Sequence, residues 1–321
     1  MAIPQEIDIK GEQFRYIKSR RMGGAVYTNE AKDKFLRTAN KEEIRGEVNL
    51  TRDLKERGFP VPTVLDHGEF GGGLFYYIES SIGTRTFGEL FKKETDEHGG
   101  VTDKTFNAFT EVALRYASAQ FNERNFVPQN RADISRTILL YNVLRNHPPS
   151  EDARPEFDEA IKRVADRVTE LPFGYLQSDL NAYNILENGV IDFENASHGP
   201  VGFDVMTNVS FGRLWPRIAR AYVVSDEQIG RYNDRVDELA IANKLPKMTE
   251  YRNEFLLLKA VRATNKMGTE QHRKCNPQFW TWRVRVRDWC IQKYLKGEQI
   301  HTREFERVGG EVTKHPEHIY S

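Results

Sequence analysis

Apolar positions along the chain change their spacing near residue 80. Before it they come as short runs rich in β-branched and aromatic residues, Phe14-Arg15-Tyr16-Ile17, Ala25-Val26-Tyr27-Thr28, Lys34-Phe35-Leu36-Arg37 and Leu74-Phe75-Tyr76-Tyr77-Ile78, with a weaker run from Val64. Such runs predict strands. One helix interrupts them, from about Lys41 to Arg57, with Ile44, Val48, Leu50 and Leu54 spaced for packing and a stop at Gly58. Past the runs, Phe106, Phe109, Val112, Ala113, Tyr116, Ala117 and Phe121 form a helical stripe, residues 155–170 repeat it more weakly, and 205–321 read as helical and rich in aromatics and arginine.

A β-type interruption separates the helical stretches. Ile185-Leu186 and Val190-Ile191 flank Glu187-Asn188-Gly189, a spacing that predicts a tight hairpin. The hairpin draws together Asp179 on the loop leading in, Asn184, and Asp192 on the strand leading out. Phosphoryl transfer needs such a set: an Asp that takes the proton of the acceptor hydroxyl, an Asn five residues on that holds Mg²⁺, and a later Asp that bridges metal to phosphates. Asp and Asn are also common turn formers. The surrounding residues therefore decide between the two readings.

Gln177-Ser178-Asp179 to Asn184-Ile185-Leu186, then Ile191-Asp192-Phe193-Glu194, Gly199-Pro200 and Phe203-Asp204, resemble the signature of the aminoglycoside phosphotransferase and choline kinase superfamily. The resemblance implies an α+β, two-lobed protein-kinase-like fold: an N-terminal nucleotide-binding lobe over 1–80, made of a small antiparallel sheet and one main helix, and a mostly helical catalytic and acceptor-binding lobe over 81–321. It implies an ATP-dependent kinase acting on the hydroxyl of a small molecule. Asp179 would be the base, and Asn184 and Asp192 the Mg²⁺ ligands. Gly23 and Gly24 would cover the phosphates, although an ordinary β-turn explains them as well. Backbone groups of Glu79, Ser80, Ser81 and Ile82 would meet the adenine edge, and Asp204 would brace the catalytic loop or cap a helix. Two positions depart from the family pattern. Gln177 stands where the family has His, and Arg37 stands where it has the strand Lys that pairs with a helix Glu, here Glu47. Those departures motivate an alternative, a nucleotide-binding protein of the same fold with weak or lost activity.

Charge and cysteine content narrow the partners. The 321 residues carry 47 Lys and Arg against 47 Asp and Glu, which gives no overall nucleic-acid or membrane signature. Residues 251–321 hold 14 of those bases and 8 of the acids, so the C-terminal fifth is basic. Family members that take polycationic aminoglycosides usually line the acceptor pocket with carboxylates, so a basic C-terminal fifth points to a neutral or anionic acceptor. Phe279-Trp280-Thr281-Trp282-Arg283-Val284-Arg285-Val286-Arg287 interleaves aromatics with arginines, a pattern also met in nucleic-acid binders; the neutral chain favours a solvated or ion-paired face. Cys275 and Cys290 have no zinc spacing, no run of about 18 apolar residues occurs, and the expectation is a soluble cytoplasmic protein.

Overall fold

The computed structural model describes residues 3–20, 23–71, 73–265 and 277–313; Cys275 lies outside them. Strands β1 (Glu6–Ile9), β2 (Glu12–Ser19), β3 (Ala25–Asn29), β4 (Lys34–Ala39), β5 (Val64–Gly71) and β6 (Leu74–Ser80) form one antiparallel sheet in the order β1-β2-β3-β4-β6-β5. The period-two pattern gives it two faces. One buries Ile7, Ile9, Phe14, Ala25, Tyr27, Leu36, Tyr76 and Ile78 together. On the other, helix α1 (Lys41–Glu56) sets Ile44 and Val48 against Ala39 and Tyr77. Asn40 caps α1 by accepting the Glu43 amide at 2.9 Å, and Gly58 follows the helix with φ +87°. Strand β1 was not expected, because four residues with two buried isoleucines are too short to stand out in the sequence.

The rest is mostly helical: α2 (Phe87–His98), α3 (Asp103–Phe121), α4 (Arg131–Thr137), α5 (Leu140–Asn146), α6 (Arg154–Val168), α7 (Phe203–Asn208), α8 (Asp226–Ala242), α9 (Arg252–Arg262), α10 (Pro277–Leu295) and α11 (Phe305–Gly309). The stripe expected on α3 is buried along its length and joins the main core. Two small antiparallel pairs complete the fold, β7 (Phe173–Leu176) with β10 (Ser197–Pro200), and β8 (Ile185–Leu186) with β9 (Gly189–Val190). Among the described residues no helix is long and apolar enough to cross a membrane.

The hairpin differs from its expected register by one residue. Leu186 pairs with Gly189, so Glu187-Asn188 alone make the turn. Only glycine fits this strand position, because a Cβ there would lie 2.1 Å from the Pro60 carbonyl oxygen, which accepts the Val190 amide at 2.7 Å. The arginines of α10 also differ from expectation. Arg283 and Arg287 are buried, and Arg283 lies 4.4 Å over the Trp215 ring and 4.5 Å over Phe279. Arg283 and Arg287 thus belong to the interior, Arg287 paired with Asp288 at 2.8 Å, while Arg285 between them stays exposed as expected.

Gly24 gives a direct test of the sheet. Its φ is +77°, and a Cβ would fall 1.8 Å from the Thr38 carbonyl oxygen; Gly23, at φ +102°, has open space. Gly24→Ala should therefore cost roughly 1–3 kcal/mol more than Gly23→Ala, the usual range for overpacking, as read from urea denaturation midpoints.

Candidate active site

Strand β7 delivers the chain into a buried carboxylate. Asp204 on α7 is fully buried, and its Oδ2 accepts the Gln177 amide at 2.7 Å and the Tyr116 hydroxyl at 2.8 Å, while Oδ1 accepts the Ser178 amide at 3.2 Å. The position before α7 is Gly202 at φ +90°, so Asp204 braces the loop and does not cap the helix. Holding Ser178 against this carboxylate is compatible with its φ of +70°, which a non-glycine residue rarely adopts.

Gln177 then ties the loop to the hairpin. Its Oε1 accepts the Asp179 amide at 2.8 Å, and its Nε2 donates to the Asp192 carbonyl at 2.7 Å. Asn184 donates from Nδ2 to the Asp179 carbonyl at 3.1 Å. One buried side-chain amide thus links the backbones of Asp179 and Asp192, and the third candidate joins the same network. Asp192 enters with φ +65°, a left-handed turn that ends the hairpin. The Asn184 bond uses its NH₂ group, so its amide oxygen and the Asp192 carboxylate are the oxygen ligands this network could offer. Hard oxygen ligands of this kind suit Mg²⁺, which usually takes one or two protein ligands and completes its shell with water and phosphate oxygens. Among the described residues no group of three His, Cys, Asp or Glu side chains is placed to cage a metal alone.

Lys259 was not singled out from the sequence. From α9 its Nζ comes within 3.9 Å of Asp179 Oδ1, and its side chain is buried. A lone lysine inside Phe255-Leu256-Leu257-Leu258-Lys259-Ala260-Val261 was the available signal, since such a cation is seldom buried without a carboxylate nearby. One turn on, buried Arg262 donates to the Thr137 carbonyl. Burial lowers its pKa, and the charges of Asp179 and Asp204 oppose that shift.

The ion pair expected between Arg37 and Glu47 is replaced by two others. Arg37 Nε donates to Glu79 Oε1 at 2.8 Å, and Glu47 pairs with Arg20. The register explains the exchange: Arg37 lies opposite Tyr77, so Glu79, two residues along β6, is its same-face neighbour. Burial works against the Arg37 charge, but Glu79, helped by Tyr77 and Glu47, raises its pKa above the usual arginine value.

The segment expected to meet a base is partly committed within the protein. The Ser80 amide donates to the Thr63 carbonyl at 2.9 Å, the Ser81 amide to that of Asp33 at 2.7 Å, and the Ile82 carbonyl accepts the Asn188 amide at 2.9 Å. At the glycine turn, the close approach that excludes a side chain at Gly24 is to strand β4 itself.

Asp204 sets a pH dependence. Burial pushes its carboxyl above the ordinary value of 3.8, against the Tyr116 hydroxyl, Lys259 and the Ser178 and Gln177 amides. An acid raised on folding contributes stability that is present below its ordinary pKa and lost as pH rises through the raised one. The stability of the wild type relative to Asp204→Asn should fall across that window in urea titrations at stepped pH. Asp204→Ala strands two amides and a hydroxyl and should cost at least about 2 kcal/mol at neutral pH.

The profile of the phosphotransferase enzyme family matches residues 25–239. A search of the curated proteins finds no match. Among solved structures, a thermostable mutant of aminoglycoside phosphotransferase APH(4)-Ia, in a ternary complex with AMP-PNP and hygromycin B, is 16% identical with a TM-score of 0.56, over 88% of this chain and 94% of that one. Aminoglycoside phosphotransferase APH(3'')-Id from Streptomyces rimosus ATCC10970, in complex with ADP and streptomycin, is 12% identical with a TM-score of 0.51, over 78% of this chain and 92% of that one. The likeness establishes the two-lobed, kinase-like α+β fold. With two thirds of its length matched by the profile, the chain belongs to the phosphotransferase enzyme family.

Proposed function

We propose that the protein transfers the γ-phosphoryl group of ATP to a hydroxyl of a small molecule in the cytoplasm, residues 1–80 forming the nucleotide lobe and 81–321 the catalytic and acceptor lobe. The carrying observation is the Gln177 amide, which joins the backbones of Asp179 and Asp192 at 2.8 and 2.7 Å. Gln177 and Arg37 were the grounds for a degenerate protein. The first builds the site and the second is a buried charge with a carboxylate partner, so both weigh toward an active enzyme. The nucleotides and aminoglycosides bound in the two similar structures support a nucleotide and a small hydroxylated acceptor.

In this reading Asp179 accepts the acceptor's hydroxyl proton as the new O–P bond forms and the bond to the β-phosphate oxygen breaks, releasing ADP. Asn184 and Asp192 would hold Mg²⁺, which when bound neutralises charge on the phosphates. Arg37 adds positive charge on the sheet side, and the glycine turn at Gly23 and Gly24 covers the phosphates. Base recognition falls to those backbone groups of Glu79 to Ile82 that the protein does not itself use. Lys259 and Arg262 near Asp179 support an acceptor that is neutral or anionic, since a polycation would meet like charge there.

Thermal unfolding should register Mg²⁺-ATP as a rise in melting temperature, because a ligand of the native state stabilises it by mass action, and Asp192→Ala should remove most of the Mg²⁺-dependent part. Asp179→Asn should keep calorimetric ATP affinity and lower ADP release, in a screen of hydroxylated metabolites, by roughly 10²- to 10⁴-fold, the usual weight of a positioned base. No thermal response to any Mg²⁺-nucleotide would end this reading.

A further inference from the structure

The face of the sheet that carries Arg37 carries a second arginine. Residues paired across a sheet share a face, so Val26, Arg37 and Tyr77, aligned through β3, β4 and β6, point the same way. On β2, Lys18 pairs with Val26 and Ser19 with Ala25, and at the next rung the Arg20 amide donates to the Gly24 carbonyl at 3.1 Å. Arg20 therefore lies on the face of Val26 and Arg37, at the base of the glycine turn. Helix α1 covers part of this face and holds the guanidinium from two sites, Glu43 Oε1 at 3.1 Å from Nη2 and Glu47 on the same nitrogen. The Arg20 side chain is 12% exposed, and Nη1 is buried with no hydrogen-bond partner.

That arrangement leaves one side of the guanidinium without an acceptor. A guanidinium presents five donors in a planar fork suited to phosphate oxygens, and a buried charged donor left unmade costs more than a neutral one. Both carboxylates gather on Nη2, which leaves the Nη1 side of the fork unused. Building on the reading above, we infer that Arg20 is a phosphate-binding residue of the nucleotide site. Glu43 and Glu47 fix its Nη2 side to α1, and the buried, unpartnered Nη1 would meet the phosphoryl oxygens of a nucleoside triphosphate bound beside Gly24. Glu47 thus serves an arginine of the turn, while Arg37 on β4 is fixed by Glu79. In the sequence Arg20 is hidden in Lys18-Ser19-Arg20-Arg21, which reads as a polar turn.

A purely structural Arg20, pinning the turn to α1, makes a different forecast. Calorimetry of Mg²⁺-ATP and of adenosine, on wild type, Arg20→Met and Arg20→Lys, separates the two. A phosphate contact predicts that Arg20→Met weakens ATP binding roughly 10- to 100-fold, the weight of a charge-assisted hydrogen bond, leaves adenosine affinity within about twofold, and is partly rescued by Arg20→Lys. Unchanged ATP affinity in Arg20→Met, or parallel loss of ATP and adenosine with a lowered melting temperature, would overturn the assignment and leave the phosphotransferase reading standing. A wild-type protein that binds neither ligand would overturn both.

Discussion

A fully buried carboxylate holds the loop that carries Asp179 in place. Asp204 has no solvent to compensate its charge, so its native position is tolerable only while the Gln177 and Ser178 amides and the Tyr116 hydroxyl all point at it. That requirement fixes α3, α7 and the end of β7 against one another, because each supplies one partner. The constraint then passes outward. With its backbone held by Asp204, Gln177 can spend its side chain on the Asp179 amide and the Asp192 carbonyl. A carboxamide carries its acceptor and its donor on one carbon, so a single side chain serves both the Asp179 amide and the Asp192 carbonyl.

The hairpin that follows Asn184 is tied to the connections beside the sheet by backbone bonds. Val190 donates to Pro60, in the connection between α1 and β5, and Asn188 donates to Ile82, just past β6. Gly189 and Gly83 permit these approaches: a Cβ at Gly189 would strike the Pro60 carbonyl, and Gly83 sits at φ +141° with the Glu187 amide 3.2 Å from where its Cβ would be. On the sheet side, Arg37 with Glu79 stiffens β4 against β6 immediately before this junction.

The sequence made the frame legible because its signals are local. Five of the six strands, helix α1, the α3 stripe and the hairpin all follow from runs and spacings within about twenty residues, and so does the order Asp179, Asn184, Asp192. What escaped depends on distant partners. Glu79 and Glu47 are both plausible mates for Arg37, and only the register of β4 on β6 decides for Glu79. The arginines of α10 look like a surface stripe until Trp215, nearly seventy residues earlier in the chain, is found over Arg283. Gln177 read as a defect because its effect lies in two backbone atoms, at Asp179 and Asp192, that no motif records.

Lys259 shows how one charge can serve two carboxylates. It lies 3.9 Å from the Asp179 Oδ1, acts on Asp204 from the same position, and packs 5.9 Å over the Phe203 ring. For Asp204, which burial disfavours as an anion, the charge of Lys259 works toward the ionised form. Its burial matters as much as its charge, because an ammonium shielded from water exerts a stronger field than an exposed one. Helix α9 can place it there only because Leu256, Leu257, Leu258 and Val261 anchor the surrounding turns in the core. The electrostatics beside Asp179 are therefore set by the packing of a helix that lies outside the segment from Asp179 to Asp192.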